Sequence, residues 1–213
     1  MTAETKSPPS TDLPVELTQH HRGPGFWQVT SAHLSLHTGS HVDSALHCFA
    51  QGGTTAEIPL DHVCGEAVVL DCTEVGPEEP VTVATLERAR HGCDVRPGDI
   101  LLVRTDWTDA MWGTFPAFFT RSPYLAPEAA QWLIAQQPKA VGFDFFEEYS
   151  ARLPHFDSED FVVHRLLLGH GLPLLEQVTH LRLLGQRRVR FFAPFWKIAG
   201  TEGAPARFFA LLD

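Results

Sequence analysis

Short apolar runs recur along the chain and predict buried strands. Three of them are rich in Val, Ile and Leu with little polar alternation, which is typical of strands buried on both faces of a sheet. They span residues 67–71, 100–104 and 140–145. Partial alternation of apolar and polar positions predicts further strands. These lie at residues 28–37, 189–198 and 206–211.

Start and stop signals between these runs predict three helices. Thr82 is placed to cap the first, and Pro127 opens the second with acidic residues in its first turn. Asp157 or Ser158 is placed to cap the third, which carries His164. Strands that alternate with helices predict an α/β fold, with a mixed sheet flanked by helices.

Composition narrows the class of protein. The chain has 213 residues and a formal net charge of −10, which argues against a nucleic-acid partner, because contacts to phosphates need clustered Lys and Arg. No apolar run is long enough to cross a membrane. Four scattered cysteines form no CxxC pair, and the polar N-terminus has no signal-peptide pattern, so we expect a cytoplasmic protein. The polar composition of residues 1–13 predicts a disordered tail. The remaining residues, 14–213, are predicted to form one domain.

The densest group of chemistry-bearing side chains lies in one eleven-residue stretch. His37, His41, Asp43 and His47 follow one another at spacings of four, two and four. An extended chain places His41 and Asp43 on one face, and Gly39 lets the backbone turn so that His37 joins them. Two imidazoles and a carboxylate around one point make a divalent-metal site that prefers zinc or manganese over calcium. The structural alternative is a set of core histidines, which burial without a shared charge partner would make costly.

The same stretch resembles the H-x-G-T-H-x-D-x-P-x-H signature of the metal-dependent cyclase family. That family includes bacterial kynurenine formamidases and isatin hydrolases. Ser40 stands where the signature has Thr and keeps the hydroxyl, and Ala45 stands where it has Pro. The resemblance implies that the first two His and the Asp bind metal, with the Asp bridging two ions, and that the last His donates and accepts protons. On this chain those residues are His37, His41, Asp43 and His47.

A second segment extends the resemblance. His164 is followed twelve residues later by Glu176, as in the family's downstream stretch. The resemblance implies that His164 ligates a second ion and that Glu176 bridges the two ions. Residues 104–107 also look like the family, so the similarity runs over residues 34–176. The fold it implies is a swivelling β/β/α domain.

The resemblance implies a hydrolase that acts on the C–N bond of a small amide or cyclic amide. Metal-activated water would attack the carbonyl, with His47 as the proton shuttle, and two zinc or manganese ions would be bound per chain. The implied assembly is a homodimer or homotetramer. The alternatives are a lactonase or cyclase/dehydratase of the same family, or a non-catalytic metal-binding protein. The presence of His47 speaks against the last, because a site that only binds metal needs no proton shuttle.

Aromatic residues allow two interpretations. In the first, they line a pocket for an aromatic substrate. In the second, they belong to the core or to a dimer interface. The residues concerned are Trp107, Trp112, Phe115, Phe118, Phe119, Phe143 and Phe146.

Overall fold

Strands and helices alternate along most of the chain, as the hydrophobic pattern predicts. The structure is a computed structural model and describes residues 1–9, 11, 13–185 and 188–212. The strands are β1 (Glu16–His21), β2 (Gln28–His33), β3 (His41–Asp43), β4 (Cys64–Asp71), β5 (Pro80–Val81), β6 (Ile100–Arg104), β7 (Tyr124–Leu125), β8 (Ala140–Phe143), β9 (Leu174–Glu176), β10 (Val189–Phe192), β11 (Gly203–Pro205) and β12 (Phe209–Leu211). The helices are α1 (Val83–Arg90), α2 (Trp107–Met111), α3 (Ala117–Thr120), α4 (Pro127–Ala135) and α5 (Val162–Gly169).

Eight of these strands form one mixed sheet in the order β11-β3-β9-β8-β6-β4-β10-β12. The central strands β9, β8, β6 and β4 run parallel to their neighbours within that group. Antiparallel pairing adds β3 and β11 at one edge, and β10 and β12 at the other. The predicted α/β class with a mixed sheet is therefore confirmed.

Both faces of the sheet are covered. In β4, Val68 and Leu70 belong to a buried cluster that includes apolar residues of α1, α4 and α5. The alternate residues Ala67 and Val69 belong to a second buried cluster on the opposite face. Burial of both sets explains why β4, β6 and β8 appear in the sequence as continuous apolar runs.

Two of the three predicted helix starts are correct. The Thr82 side chain caps α1 by accepting a hydrogen bond from the Thr85 backbone, and α4 begins at Pro127. The predicted cap of α5 is wrong. Asp157 instead accepts a hydrogen bond from the Glu159 backbone and caps a separate short 3-10 turn, Ser158–Asp160. The helix α5 then starts at Val162.

The segment 28–37 only partly forms the strand predicted for it. Strand β2 ends at His33 and pairs with β1 in a separate two-stranded hairpin whose strand residues are all exposed. Residues 34–37 lead from this hairpin towards β3. In the C-terminal region, β10 and β12 fall within the two predicted strands, whereas β11 lies between those segments and was not predicted.

At the N-terminus, Lys6 and Pro14 form an isolated antiparallel bridge. Positions 10 and 12 of the predicted tail, and positions 186, 187 and 213 of the predicted domain, lie outside the described residues. The division into a tail at 1–13 and a domain at 14–213 stays a prediction. Of the helices described, none has the length and apolar character needed to cross a membrane.

Candidate metal centre

Strand β3 carries two of the predicted ligands on one face. Val42 points into the cluster that packs on one side of the sheet, so its neighbours His41 and Asp43 point to the other side. Both are buried. On the adjacent strand β9, Glu176 lies opposite His41 in the register. Because Leu175 shares the side of Val42, the Glu176 side chain projects to the same side as His41 and Asp43.

His37 and His47 approach from the two ends of β3. Gly39 has a φ of +71°, which turns the chain between His37 and the strand. His47 ends a 3-10 turn, Ala45–His47, that directly follows the strand. The ring centroids of His37 and His47 lie 4.2 Å apart, and those of His37 and His41 lie 5.0 Å apart. The turn at Gly39 and the 3-10 turn after β3 thus bring the rings of His41 and His47 against that of His37.

Helix α5 adds His164 from above the same face. Its ring centroid lies 5.4 Å from that of His47, and its Nε2 atom lies 3.7 Å from Asp43 Oδ2. Three groups of ligand atoms lie within 4.8 Å of one another: His37 with His41 and Asp43, Asp43 with His47 and His164, and His164 with Glu147 and Glu148. Asp43 therefore joins two sets of possible ligands.

The histidines near Asp43 share a pattern of hydrogen bonding. His41 Nδ1 lies 2.7 Å from the Gly39 carbonyl oxygen, to which it donates, so the lone pair of the neutral ring is on Nε2. That Nε2 atom faces Asp43 Oδ1 at 3.3 Å. His37 repeats the arrangement, with Nε2 3.2 Å from Glu202 Oε1 and Nδ1 2.9 Å from Asp43 Oδ1. In each ring, one nitrogen has an outer acceptor and the other is directed at the Asp43 carboxylate.

His164 follows the same pattern on the other side of Asp43. Glu148 Oε1 accepts hydrogen bonds from the His164 backbone at 2.7 Å and from Nδ1 at 3.1 Å. This leaves Nε2 directed at Asp43. The ring of His47 differs, because it makes no hydrogen bond with any residue in the described part of the chain. Outer acceptors that orient histidines are characteristic of metal ligands.

The buried carboxylates fit a cation. Neither oxygen of Asp43 has a hydrogen-bond partner among the described residues, although three ring nitrogens lie within 4 Å of them. Glu176 Oε1 is also buried and without a partner. A buried carboxylate without donors is costly unless a cation compensates it. Imidazole nitrogens and carboxylate oxygens are ligands that divalent zinc and manganese accept.

The charges of His37 and Asp43 depend on each other. Burial favours the neutral form of His37, but the Asp43 carboxylate outweighs it, with Glu202 contributing, and raises the pKa of His37 to about 9. Burial would raise the pKa of Asp43, but the charges of His41 and His37 hold it well below its usual range. Asp43 is therefore ionised at neutral pH, and in the metal-free protein His37 carries its counter-charge.

The pKa of His47 is shifted in the opposite direction to that of His37. Burial, together with the charges of His37 and His164, lowers the pKa of His47 to about 4, against the attraction of Asp43. The ring is therefore neutral at pH 7. A neutral imidazole without an outer acceptor has a nitrogen available to accept a proton.

Three acidic residues of the site were not predicted from the sequence. Glu147 and Glu148 follow β8 within the buried Phe143–Glu148 segment and lie next to His164. Glu202 precedes β11, which pairs with β3, and so reaches His37. The positions of Glu147 and Glu148 directly after a predicted strand could have indicated that they belong to the site, because side chains that follow parallel strands gather at one edge of a sheet.

The backbone of β11 also shapes the site. A Cβ atom on Gly203 would lie 2.8 Å from Cε1 of His37. No larger residue fits there without moving the ring. Gly203 therefore allows the strand to approach His37 closely.

A cavity of about 650 Å³ opens onto the site. Most of the aromatic residues considered from the sequence pack in or against the core instead, and only Phe146 among them lines this cavity. Phe156 and Phe161 were not predicted, yet they supply the remaining aromatic surface. Leu34 and Leu36 complete an apolar wall. The ring of Phe161 meets that of His47 edge to face, with centroids 6.3 Å apart.

The structure therefore brings His37, His41, Asp43, His47 and His164 together. Glu176 lies beside His41 in the sheet and lines the same cavity. It belongs to none of the three groups of mutually close ligand atoms found among the described residues. The metal-binding and catalytic roles of these six residues stay predictions.

Comparison with known proteins agrees with this description of the fold. Residues 7–147 match the family described as "Putative cyclase". The chain is 30% identical to the kynurenine formamidase of Salinibacter ruber over 185 residues, which cover 83% of this chain and 76% of that protein. The fold and the His, Asp and Glu groups support the class of metal-dependent hydrolases. The chain belongs to the cyclase family.

Solved structures support the same assignment. An isatin hydrolase bound to the product analogue thioisatinate superposes with a TM-score of 0.82 at 22% identity, over 99% of this chain and 88% of that one. This likeness shows the fold. A potential metal-dependent hydrolase with cyclase activity gives a TM-score of 0.67 at 26% identity, over 85% of this chain and 81% of that one. The predicted relationship to the metal-dependent cyclase family is confirmed.

Proposed function

We propose that this protein is a divalent-metal-dependent hydrolase of the C–N bond in a small amide or cyclic amide. One observation carries the proposal. His37, His41 and His164 each have one ring nitrogen at an outer acceptor and the other directed at Asp43. In the metal-free protein these inner atoms face a carboxylate that accepts no hydrogen bond from them.

The ligands divide into two sets that share Asp43. His37, His41 and Asp43 would hold the first ion, and Asp43, His164 and Glu176 would hold the second. Imidazole and carboxylate ligands favour zinc or manganese. When bound, a divalent cation lowers the pKa of water from 15.7 to about 7 and polarises a carbonyl.

The proposed proton shuttle is His47. Its ring is neutral at pH 7, since its pKa is about 4, and it lines the cavity beside the ligand set. It would accept a proton from the attacking water and return that proton to the leaving nitrogen. No nucleophilic side chain is required. The only cysteine at the cavity, Cys48, stays protonated at neutral pH because burial raises the pKa of its thiol.

The cavity supports a small substrate with an apolar part. Its volume of about 650 Å³ falls within the usual range of about 300–1,000 Å³ for ligand pockets. Phe146, Phe156 and Phe161, with Leu34 and Leu36, offer an apolar surface next to the polar ligands. An aryl formamide or a cyclic amide fused to an aromatic ring has this combination of an apolar ring and a reactive carbonyl. The names of the related kynurenine formamidase and isatin hydrolase point to the same chemistry.

We also infer that the enzyme is a homodimer or homotetramer. The hairpin of β1 and β2 is exposed along its whole length, and Phe26 and Trp27 at its turn are 86% and 55% exposed. A two-stranded hairpin is marginally stable in water by itself. Packing of this hairpin on a second copy of the chain would cover it.

A substrate screen tests the proposed function. The protein is loaded with Mn²⁺ or Zn²⁺ and offered formanilides, isatins and simple lactones. We expect hydrolysis of a formanilide or an isatin, lost on chelation and restored by metal. Activity on lactones alone would favour the related reaction on a C–O bond. Bound metal without any turnover would favour the non-catalytic alternative.

A further inference from the structure

Four buried carboxylates lie near His164, and one of them has no assigned role. Asp43, Glu147, Glu148 and Glu176 are all exposed by 2% or less. Glu148 already has a role, because its Oε1 atom accepts both the backbone N–H and the ring N–H of His164. Glu147 Oε1 lies 2.9 Å from the same Nδ1 atom. That nitrogen has one proton, and it donates to Glu148.

Glu147 is therefore left without a donor. It is completely buried, and neither of its carboxylate oxygens has a hydrogen-bond partner among the described residues. Its carboxyl group is also adjacent to that of Glu176, whose Oε1 atom is buried and likewise unpartnered. Two adjacent buried carboxyl groups repel each other unless a cation or a proton lies between them.

We propose that Glu147 is an additional ligand of a second divalent cation, which it binds together with Glu176 beside His164. This inference rests on the proposed metal-dependent function and extends its ligand set. Glu147 lies in the group with His164 and Glu148 whose ligand atoms are within 4.8 Å of one another, whereas Glu176 belongs to no such group. Glu147 is thus the carboxylate that connects His164 with Glu176.

The proposal has a consequence for the choice of metal. The first set, His37, His41 and Asp43, offers two nitrogens and one carboxylate. A second set that contains Glu147, Glu176 and Asp43 with His164 offers three carboxylates and one nitrogen. Oxygen-rich sets favour manganese and magnesium, whereas imidazole-rich sets suit zinc. The second ion should therefore be Mn²⁺ even when the first is Zn²⁺.

Metal binding tests this without reference to turnover. The wild type, Glu147→Gln and Glu148→Gln are stripped with a chelator and dialysed against Mn²⁺, and bound metal is measured by elemental analysis. We expect two ions in the wild type and one in Glu147→Gln, where binding of the second ion should weaken by more than the 10- to 100-fold, roughly, that loss of a residue orienting a ligand costs. Glu148→Gln is the matched comparison, because its amide oxygen still accepts from His164, and it should keep the second ion with its affinity weakened by at most about 10- to 100-fold, as is usual for residues that orient a metal ligand.

The remaining ion in Glu147→Gln shows that the variant is folded and that its first site is intact. An Mn²⁺-dependent rise in melting temperature gives an independent readout, and its second step should be missing from Glu147→Gln alone. Two ions of unchanged affinity in Glu147→Gln would overturn the proposal. A wild type that binds one ion at saturating Mn²⁺ would also overturn it, since Glu147 and Glu176 would then share a proton, but would leave the proposed function standing. A wild type that binds none would overturn both.

Discussion

Asp43 has two sides that differ in chemistry and in origin. On one side, His37 and His41 come from the same short stretch as Asp43 itself. On the other side, His164 comes from a helix and is surrounded by carboxylates from other segments, Glu147 and Glu148. The first side is rich in nitrogen and formed by local geometry. The second is rich in oxygen and exists only when distant segments of the chain have packed.

The difference between the two sides shows how the single carboxylate of Asp43 can contact two different sets of ligands. Each Asp43 oxygen faces a different side, Oδ1 towards His37 and His41 and Oδ2 towards His164. Removing a residue from one side should therefore affect one ion, whereas removing Asp43 should affect both. Variants that separate the two sides test whether the site is built in this way.

The largest effect is expected from Asp43→Ala. It should abolish binding of both ions and lower the melting temperature in the presence of metal, because the remaining ligands lose the cation that joins them. Metal content and thermal unfolding measure this. As controls, His41→Ala should lose the first ion, and His164→Ala should keep it. Unchanged stoichiometry in Asp43→Ala would show that the site is placed wrongly.

The next largest effect is expected from His47→Gln. The ring has no outer acceptor in the described chain and a pKa of about 4, so we assign it proton transfer and not ligation. This variant should retain its metal and lose about 10²- to 10⁴-fold in kcat on whichever substrate the screen finds. If it loses metal as completely as His41→Ala, His47 is a ligand. If it keeps full turnover, another group transfers the proton.

The two sides of Asp43 also differ in how far the sequence predicts them. The spacing of two between His41 and Asp43 predicts that their side chains lie on one face, because an extended chain places alternate residues on the same side. The structure has such a strand there, β3. His164 and Glu176 were implied only by the resemblance to a family. No pattern in the sequence alone joins residues on α5 and β9, since their meeting depends on how the helix packs on the sheet.

The missed residues have physical reasons of their own. Glu202 lies 165 positions from His37, and only the pairing of β11 with β3 brings them together. Glu147 and Glu148 look like solvated charges after a strand, because buried acids are rare without a partner. The start of α5 was misplaced because Asp157 is a good cap, and the nearer 3-10 turn takes it.

A smaller effect is expected at the outer acceptor of the first side. Glu202 Oε1 accepts from His37 Nε2, which directs Nδ1 at Asp43. Glu202→Ala should weaken binding of the first ion by about 10- to 100-fold, as is usual for residues that orient a metal ligand. The second ion should be unaffected. Titration with Mn²⁺ followed by electron paramagnetic resonance measures both, and Glu128→Ala in the exposed first turn of α4 is the surface control. Equal weakening of both ions would contradict the division into two sides.

The smallest effect is expected from pH in the metal-free protein. The folded-state pKa of His37 is about 9, above the ordinary value of 6.5. Its contribution to stability is therefore fully present below pH 6.5 and is lost as the pH rises through 9. Metal binding must displace this proton, so affinity for the first ion should rise by up to about tenfold between pH 7 and pH 8.

Thermal unfolding between pH 6 and 9.5, with chelator and with Mn²⁺, checks this expectation for His37. The melting temperature of the chelated wild type should fall across the window relative to His37→Gln, which lacks the titrating group. The metal-loaded wild type should not show this fall, because its His37 ring is already deprotonated. Calorimetry in two buffers of different ionisation enthalpy should detect about one proton released on binding the first ion at pH 7. If the melting temperatures of the chelated wild type and of His37→Gln change in parallel at every pH, Asp43 and His37 do not form a charged pair. The two sides of Asp43 would then differ in the identity of their ligands but not in this pairing of charges.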